Sequence, residues 1–116
     1  MTEKKGHGFS DLPGAAIVMD LQESRKKIDS IDEQIVTLLN RRAAEVKQIG
    51  RLKSAAGIPV VDVQRESEVY RRVAAENFGQ IDNEGLVRIF VQIVAESRRI
   101  QSQSEVEFVQ LNETLQ

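Results

Sequence analysis

The chain has 116 residues, 29% of them charged and 41% hydrophobic, with a formal net charge of −2. That length suits one domain with one modest core, and the slight acidity excludes the basic field that nucleic-acid binding needs. There is no cysteine, which excludes a disulfide frame and thiolate metal sites.

Residues 1–18 are polar and Gly-containing and read as a flexible, disordered leader. His7, the one histidine, falls there; a solvated terminal histidine is its plain reading. Zinc chemistry and histidine acid/base catalysis are therefore not expected. Lys4 and Lys5 resemble a signal-peptide start, but Asp11 and Pro13 interrupt the core and Ala15–Met19 is short. No apolar run approaches the roughly 18 residues of a membrane span. The expectation is a cytoplasmic protein with no membrane or nucleic-acid partner.

A first helix is predicted over 20–53, with the apolar stripe Leu21, Ile28, Ile31, Ile35, Leu38/Leu39, Val46 and Ile49. Gly57 and Pro59 stop it, since glycine suits a C-terminal cap and proline cannot continue the ladder. Asp62 caps a second helix over about 63–78, with Val69 and Val73 inward; Asn77 and Gly79 close it. Asp82 caps a third over about 83–104, with the stripe Leu86, Ile89, Phe90, Ile93, Val94 and Ile100. Residues 105–116 hold Val106, Phe108, Val109 and Leu111 but no cap signal, and read as a C-terminal tail that either extends the third helix or hangs free. The domain is thus 19–104, all-α, with no strand pattern.

Helix lengths add an argument. At about 1.5 Å per residue the first helix is roughly 50 Å long, while a compact chain of this size has a diameter of roughly 35 Å. A monomer would leave part of the long stripe wet. A C₂ dimer that pairs the two long helices would bury it.

Several polar residues interrupt the stripes. At about 100° per residue, Arg42 falls within roughly 20° of Ile35 and Ile49, and Lys53 within roughly 20° of Val46 and of Arg42. Ser97 and Gln101 continue the stripe of Phe90 and Ile93. Glu66 precedes Val69 and Val73 on an inward face, although acids also simply favour helix N-termini. Arg65 is its neighbour, and Asp62 reads first as a cap. Arg25 lies 17 residues before Arg42, about 100° out of phase; it is either a solvated arginine near Asp29 or a group that reaches the pocket of a partner chain. Buried cations need partners. Four cations, one inward acid and two neutral hydrogen-bonding groups suit a small dicarboxylate. No nucleophile–base pair, metal cluster or phosphate loop accompanies them, so confinement and electrostatics would carry any chemistry. An ordinary coiled-coil dimer is the plain alternative, in which a polar seam residue merely sets register.

The stretches LQESRKKIDSIDEQIVTLLNRRAAEVKQIGRLK, GIPVVDVQRE and IFVQIVAESRRIQ resemble the all-helical bacterial chorismate mutases. The resemblance covers about 20–101. It rests on Arg-x₂-Ile-x₂-Ile-Asp from Arg25, the Arg-Arg pair ending at Arg42, Lys53, Asp-x-x-Arg-Glu from Asp62, and Ser-x₃-Gln from Ser97. It implies a three-helix protomer with one long N-terminal helix, in an intertwined six-helix homodimer with two shared active sites. The implied reaction is the pericyclic rearrangement of chorismate to prephenate, towards phenylalanine and tyrosine, without cofactor or metal. Arg25 from the partner chain and Arg42 would grip the substrate carboxylates. Lys53 and Gln101 would hydrogen-bond the ether oxygen of the breaking bond. Glu66, with the backbone near Asp62, would hold the ring hydroxyl; Ser97 would contact the ring carboxylate, and Arg65 would add positive field. Association with another shikimate-pathway enzyme fits the family. Two other readings stand beside it: an isochorismate-pyruvate lyase, whose relatives lack the Asp-x-x-Arg-Glu entry to the second helix, and a non-catalytic helical dimerisation or regulatory module.

Overall fold

The computed structural model describes residues 13–115, which form three helices: α1 (Pro13–Ala56), α2 (Val63–Ala75) and α3 (Asn83–Leu115). Among the described residues there is no strand, and no helix is long and apolar enough to cross a membrane. Residues 1–12, His7 included, lie outside the described residues. The chain divides into two units, Met1–Asn40 and Arg41–Gln116.

In the first unit, α1 begins at Pro13 rather than near residue 20, so residues 13–18 are helical where the sequence reading put them in the leader. Proline suits a first helical position, because the N–H it lacks would have no intrahelical partner there. The apolar stripe of this unit, from Ile17 through Leu21, Ile28, Ile31 and Ile35 to Leu38 and Leu39, is exposed in the single chain.

The second unit holds the core and opens with the last turns of α1. Their end is a glycine-capped turn. Gly57 takes a positive φ of 70°, its N–H bonds the Ser54 carbonyl, and the Ile58 N–H bonds the Lys53 carbonyl at 2.8 Å. This crossed pair satisfies carbonyls that a helix end leaves open, and only glycine adopts the required φ without a Cβ penalty.

Asp62 then starts α2. Its backbone is extended (φ −131°) and its side chain accepts from the Arg65 N–H at 2.9 Å. Asp82 does the same for α3, accepting from the Gly85 N–H at 2.7 Å. Between them, α2 ends at Ala75, a few residues before the expected 78. Asn77 secures the connection by donating to the Ile81 carbonyl and to Asn83 Oδ1 while accepting from the Gly79 N–H. Helices α2 and α3 pack through Val69, Val73 and Val94, with Tyr70, Leu86 and Phe90 partly buried around them.

Helix α3 runs past 104 to Leu115, so the tail extends the helix. At the expected end, Ser104 is 1% exposed and lies against Gly50 of α1. Its hydroxyl is satisfied within α3 by the Ile100 carbonyl at 3.0 Å. A Cβ on Gly50 would sit 2.9 Å from the Ser104 Cβ and 3.0 Å from the Gln101 Cα, closer than such atoms approach.

That contact yields a sign test. In an open helix interior, glycine to alanine gains about 1 kcal/mol. At this crossing the added methyl meets backbone, and overpacking costs about 1–3 kcal/mol. Gly50→Ala should therefore lower the urea midpoint, measured at fixed protein concentration. An unchanged or raised midpoint would mean that the helices part without cost.

Candidate active site

The second unit contains a cavity of about 160 Å³ between α1, α2 and α3. Its lining includes seven of the eight residues singled out from the sequence: Arg42, Lys53, Asp62, Arg65, Glu66, Ser97 and Gln101. Val46, Ile49, Val69 and Val94 supply apolar wall. Arg25 is exposed on the first unit's part of α1 and does not line it.

Each polar group is held by an identifiable device. Arg42 projects from the stripe of α1 and donates from Nη1 to Ser97 Oγ at 2.5 Å. Ser97 Oγ donates in turn to the Ile93 carbonyl one turn back at 2.8 Å. A hydroxyl has one proton. In this arrangement Ser97 offers Arg42 an acceptor and offers a carboxylate nothing until the hydroxyl turns. Ser97 thus orients Arg42, which keeps its other N–H groups for a ligand.

Lys53 sits at the glycine-capped end of α1, and its ammonium donates to the Val60 carbonyl at 2.8 Å. The loop is therefore tied to Lys53 twice, through that side chain and through the Lys53 carbonyl. An ammonium has three donors, so two remain. Gln101 is 9% exposed, and its Oε1 is buried without a hydrogen-bond partner. A buried amide oxygen left unpaired costs about 1–3 kcal/mol; oxygen and nitrogen exchange places when the amide turns over, and it is the nitrogen that can donate to an acceptor on a ligand. Gln101 owes its place to the same close contact with Gly50.

The sequence reading missed Arg98, which also lines the cavity. From α3 it grips Glu66 of α2 through both carboxylate oxygens, Nε to Oε2 at 2.7 Å and Nη2 to Oε1 at 2.5 Å. No local signal marks it, because the two residues stand 32 apart in sequence.

The charge balance follows. Arg42, Lys53, Arg65 and Arg98 face only Asp62 and Glu66, and both acids are already engaged. Burial, then the like charges of Arg65 and Arg72, pulls the Arg42 guanidinium below its ordinary pKa. The hydrogen bonds from Arg98 hold the Glu66 carboxyl below the usual glutamate range, against burial and the repulsion of Asp62. A small anion would relieve the cations' mutual repulsion.

Comparison with known proteins gives the family. Residues 24–102 match the family model described as chorismate mutase type II. Over 94 residues the chain is 35% identical to a bifunctional chorismate mutase/prephenate dehydratase of Aquifex aeolicus, covering 78% of this chain and 26% of that protein. It is 31% identical over 90 residues to the chorismate mutase of Methanocaldococcus jannaschii, covering 75% of this chain and 89% of that one. A solved chorismate mutase (form II) from Thermus thermophilus matches with a TM-score of 0.70 at 32% identity, over 72% of this chain and 94% of the other. The chain belongs to the chorismate mutase type II family. It spans about a quarter of the Aquifex bifunctional relative.

The lowered Glu66 pKa has a sign. A carboxyl whose folded pKa is depressed adds stability above its unfolded value, about 4.3, and loses it as pH falls through the folded value. Glu66→Gln should therefore cost stability at pH 7, and the gap from the parent protein should close as pH drops below about 4. Denaturation midpoints at several pH values, at fixed protein concentration, measure it; a gap independent of pH would contradict the assignment.

Proposed function

We propose that this protein is a chorismate mutase acting as a homodimer, with each active site completed by Arg25 of the second chain. What supports the activity is a cation-rich cavity, in a member of this family, that joins Arg42, Lys53 and Gln101 with no nucleophile–base pair among them. The substrate, chorismate, is a small dicarboxylate, and its conversion to prephenate is intramolecular and needs no group from the protein to form a bond. Catalysis then comes from holding a folded conformer and from stabilising charge that appears on the way.

The residues divide that work. Arg42, braced by Ser97, grips one carboxylate through a planar fork. Lys53 and Gln101 act on the ether oxygen. Bond breaking runs ahead of bond making, so negative charge grows there, and donors aimed at it gain strength in the transition state over the ground state. Glu66 accepts from the ring hydroxyl, beside the backbone at Asp62. Arg65 contributes positive field from the mouth of α2. Association with a further shikimate-pathway enzyme fits the family's fused members, such as the bifunctional mutase/prephenate dehydratases of Aquifex aeolicus and Neisseria gonorrhoeae.

The dimer rests on the exposed stripe of α1. Ten large apolar side chains between Ile17 and Leu39, from Ile17, Val18 and Met19 through Leu21 and Ile28 to Val36 and Leu39, are 41% exposed or more. A helix with such a face buries it against another element. A second copy brings the same stripe, and the antiparallel or crossed pairing of two long helices carries each Arg25 towards the other chain's cavity.

The defining experiment is steady-state loss of chorismate absorbance with product identification. Prephenate is expected; salicylate and pyruvate from isochorismate would favour the lyase, and background turnover would favour a non-catalytic module. Lys53→Ala and Gln101→Ala should each lower kcat by about 10² or more with the fold intact, as removal of an oxyanion-type donor does. Near-native turnover in either would remove the ether-oxygen assignment.

Sharing of the sites has its own measurement. Arg25→Ala and Arg42→Ala homodimers should each be nearly inactive. Refolding an equal mixture makes about half the dimers mixed, each with one site holding both arginines. Activity should return to roughly a quarter of the parent per site, given random pairing and independent sites. Mixtures with demonstrated heterodimers that stay as inactive as either variant would mean that Arg25 does not act across the dimer.

A further inference from the structure

Arg98 is the one cavity-lining cation for which the motifs offer no role. Its side chain is 45% exposed, while Glu66 beneath it is 16% exposed. As a contribution to folding the pair counts for little, since exposed ion pairs give about 0–1 kcal/mol. Its geometry is more informative than its energy. Two N–H groups of one guanidinium reach the two oxygens of one carboxylate, and such a fork fixes the carboxylate plane as well as its position.

Glu66 lies in the first turn of α2, where other partners compete for it. Asp62 repels it from the cap and Lys53 attracts it from α1; Arg42 on α1 and Arg65 on α2 face the same cavity. Left to these groups, the carboxylate has several orientations. Arg98, from α3, selects one. Each carboxylate oxygen has two lone-pair directions, and Arg98 occupies one on each. The others stay available to a neutral donor. An ionised carboxylate is acceptor-only, whereas a protonated one would present a competing donor.

We propose that Arg98 is a positioning residue that holds Glu66 as a fixed, ionised acceptor for the ring hydroxyl of the substrate. The proposal deepens the chorismate reading and rests on it. The hydroxyl carries no developing charge in the rearrangement, so its contact is equally strong in the ground and transition states. Losing a uniform contact raises KM and leaves kcat nearly unchanged. Charge and geometry are separable: lysine keeps the positive charge but has no fork.

The test compares the parent protein with Arg98→Met and Arg98→Lys, using thermal melting to establish that each is folded. Arg98→Met should raise KM about tenfold, the size of one charge-assisted hydrogen bond, with kcat within a few-fold. Its acid limb of kcat/KM should move to higher pH, because the strongest influence lowering the Glu66 pKa is gone. Arg98→Lys should keep most of the acid limb yet still raise KM. A ¹³C titration of the Glu66 carboxyl without substrate, assigned with Glu66→Gln, reads the pair independently of turnover, and its midpoint should rise in Arg98→Met. An unchanged midpoint, or a raised midpoint with KM and acid limb unmoved, would overturn the proposal. If the parent protein turns over no chorismate, the functional reading fails and the proposal falls with it, whatever the titration gives. Should Arg98→Met not fold, the KM and titration of Arg98→Lys decide: an unchanged KM overturns it.

Discussion

The close approach of α1 and α3 at Gly50 is the constraint on which the cavity depends. Glycine inside a helix costs about 1 kcal/mol relative to alanine, and here that cost admits the backbone of Gln101 and the side chain of Ser104 to distances that any Cβ would forbid. One turn further along α1 stands Lys53, and on α3 stand Ser97 and Gln101, one turn apart. Bringing the helix backbones together therefore brings a lysine, an amide and an arginine–serine pair to a common space. A wider spacing would admit water among them and weaken every electrostatic interaction they make.

The loop after α1 works from the same residue. Lys53 supplies the carbonyl that the turn at Gly57 bonds and the ammonium that Val60 accepts from. A group offered to a ligand is thus also a fastening of the segment leading to Asp62. Asp62 in turn starts α2 at the register that turns Glu66 towards the cavity. Local chain geometry and site geometry are set by the same few hydrogen bonds, which fits a site that works by fixed placement rather than by proton transfer.

Much of this was legible in the sequence, for reasons that are specific. Arg42 and Lys53 fell on the stripe of α1 by helical phase alone, and Ser97 and Gln101 likewise on α3. Asp62 and Asp82 read as caps because their side chains suit the exposed N–H groups of a first turn, and both do accept them. The early start of α1 has one signal, Pro13, which suits a first helical position, in a segment otherwise polar and Gly-containing. The continuation of α3 past 104 was left open because residues 105–116 carry no cap signal, and Val106, Val109, Leu111 and Leu115 stay exposed along it. Arg98 escaped for a different reason. It sits about 100° from Ser97 on α3, where a charged residue reads as a solvated face, and its partner belongs to another helix. Arg25 is a different case: its phase already set it apart from Arg42, and one chain's cavity does not include it.

The electrostatics explain why the site can be so rich in cations. Arg42, partly buried and facing Arg65 and Arg72, is held less firmly protonated than a free guanidinium, yet arginine has margin enough to stay charged. Its neighbours' repulsion is a cost that these residues carry among themselves. A dianion would cancel that cost, so the strain reappears as affinity for the ligand that relieves it. Glu66 is the exception that keeps the field from being uniform. Arg98 neutralises most of its charge on one side while leaving its acceptor directions open, so the cavity can favour carboxylates at Arg42 and still accept a neutral hydroxyl at Glu66. On the proposed reading Arg42 and Glu66 would recognise different groups, and an asymmetric substrate would then enter in one orientation.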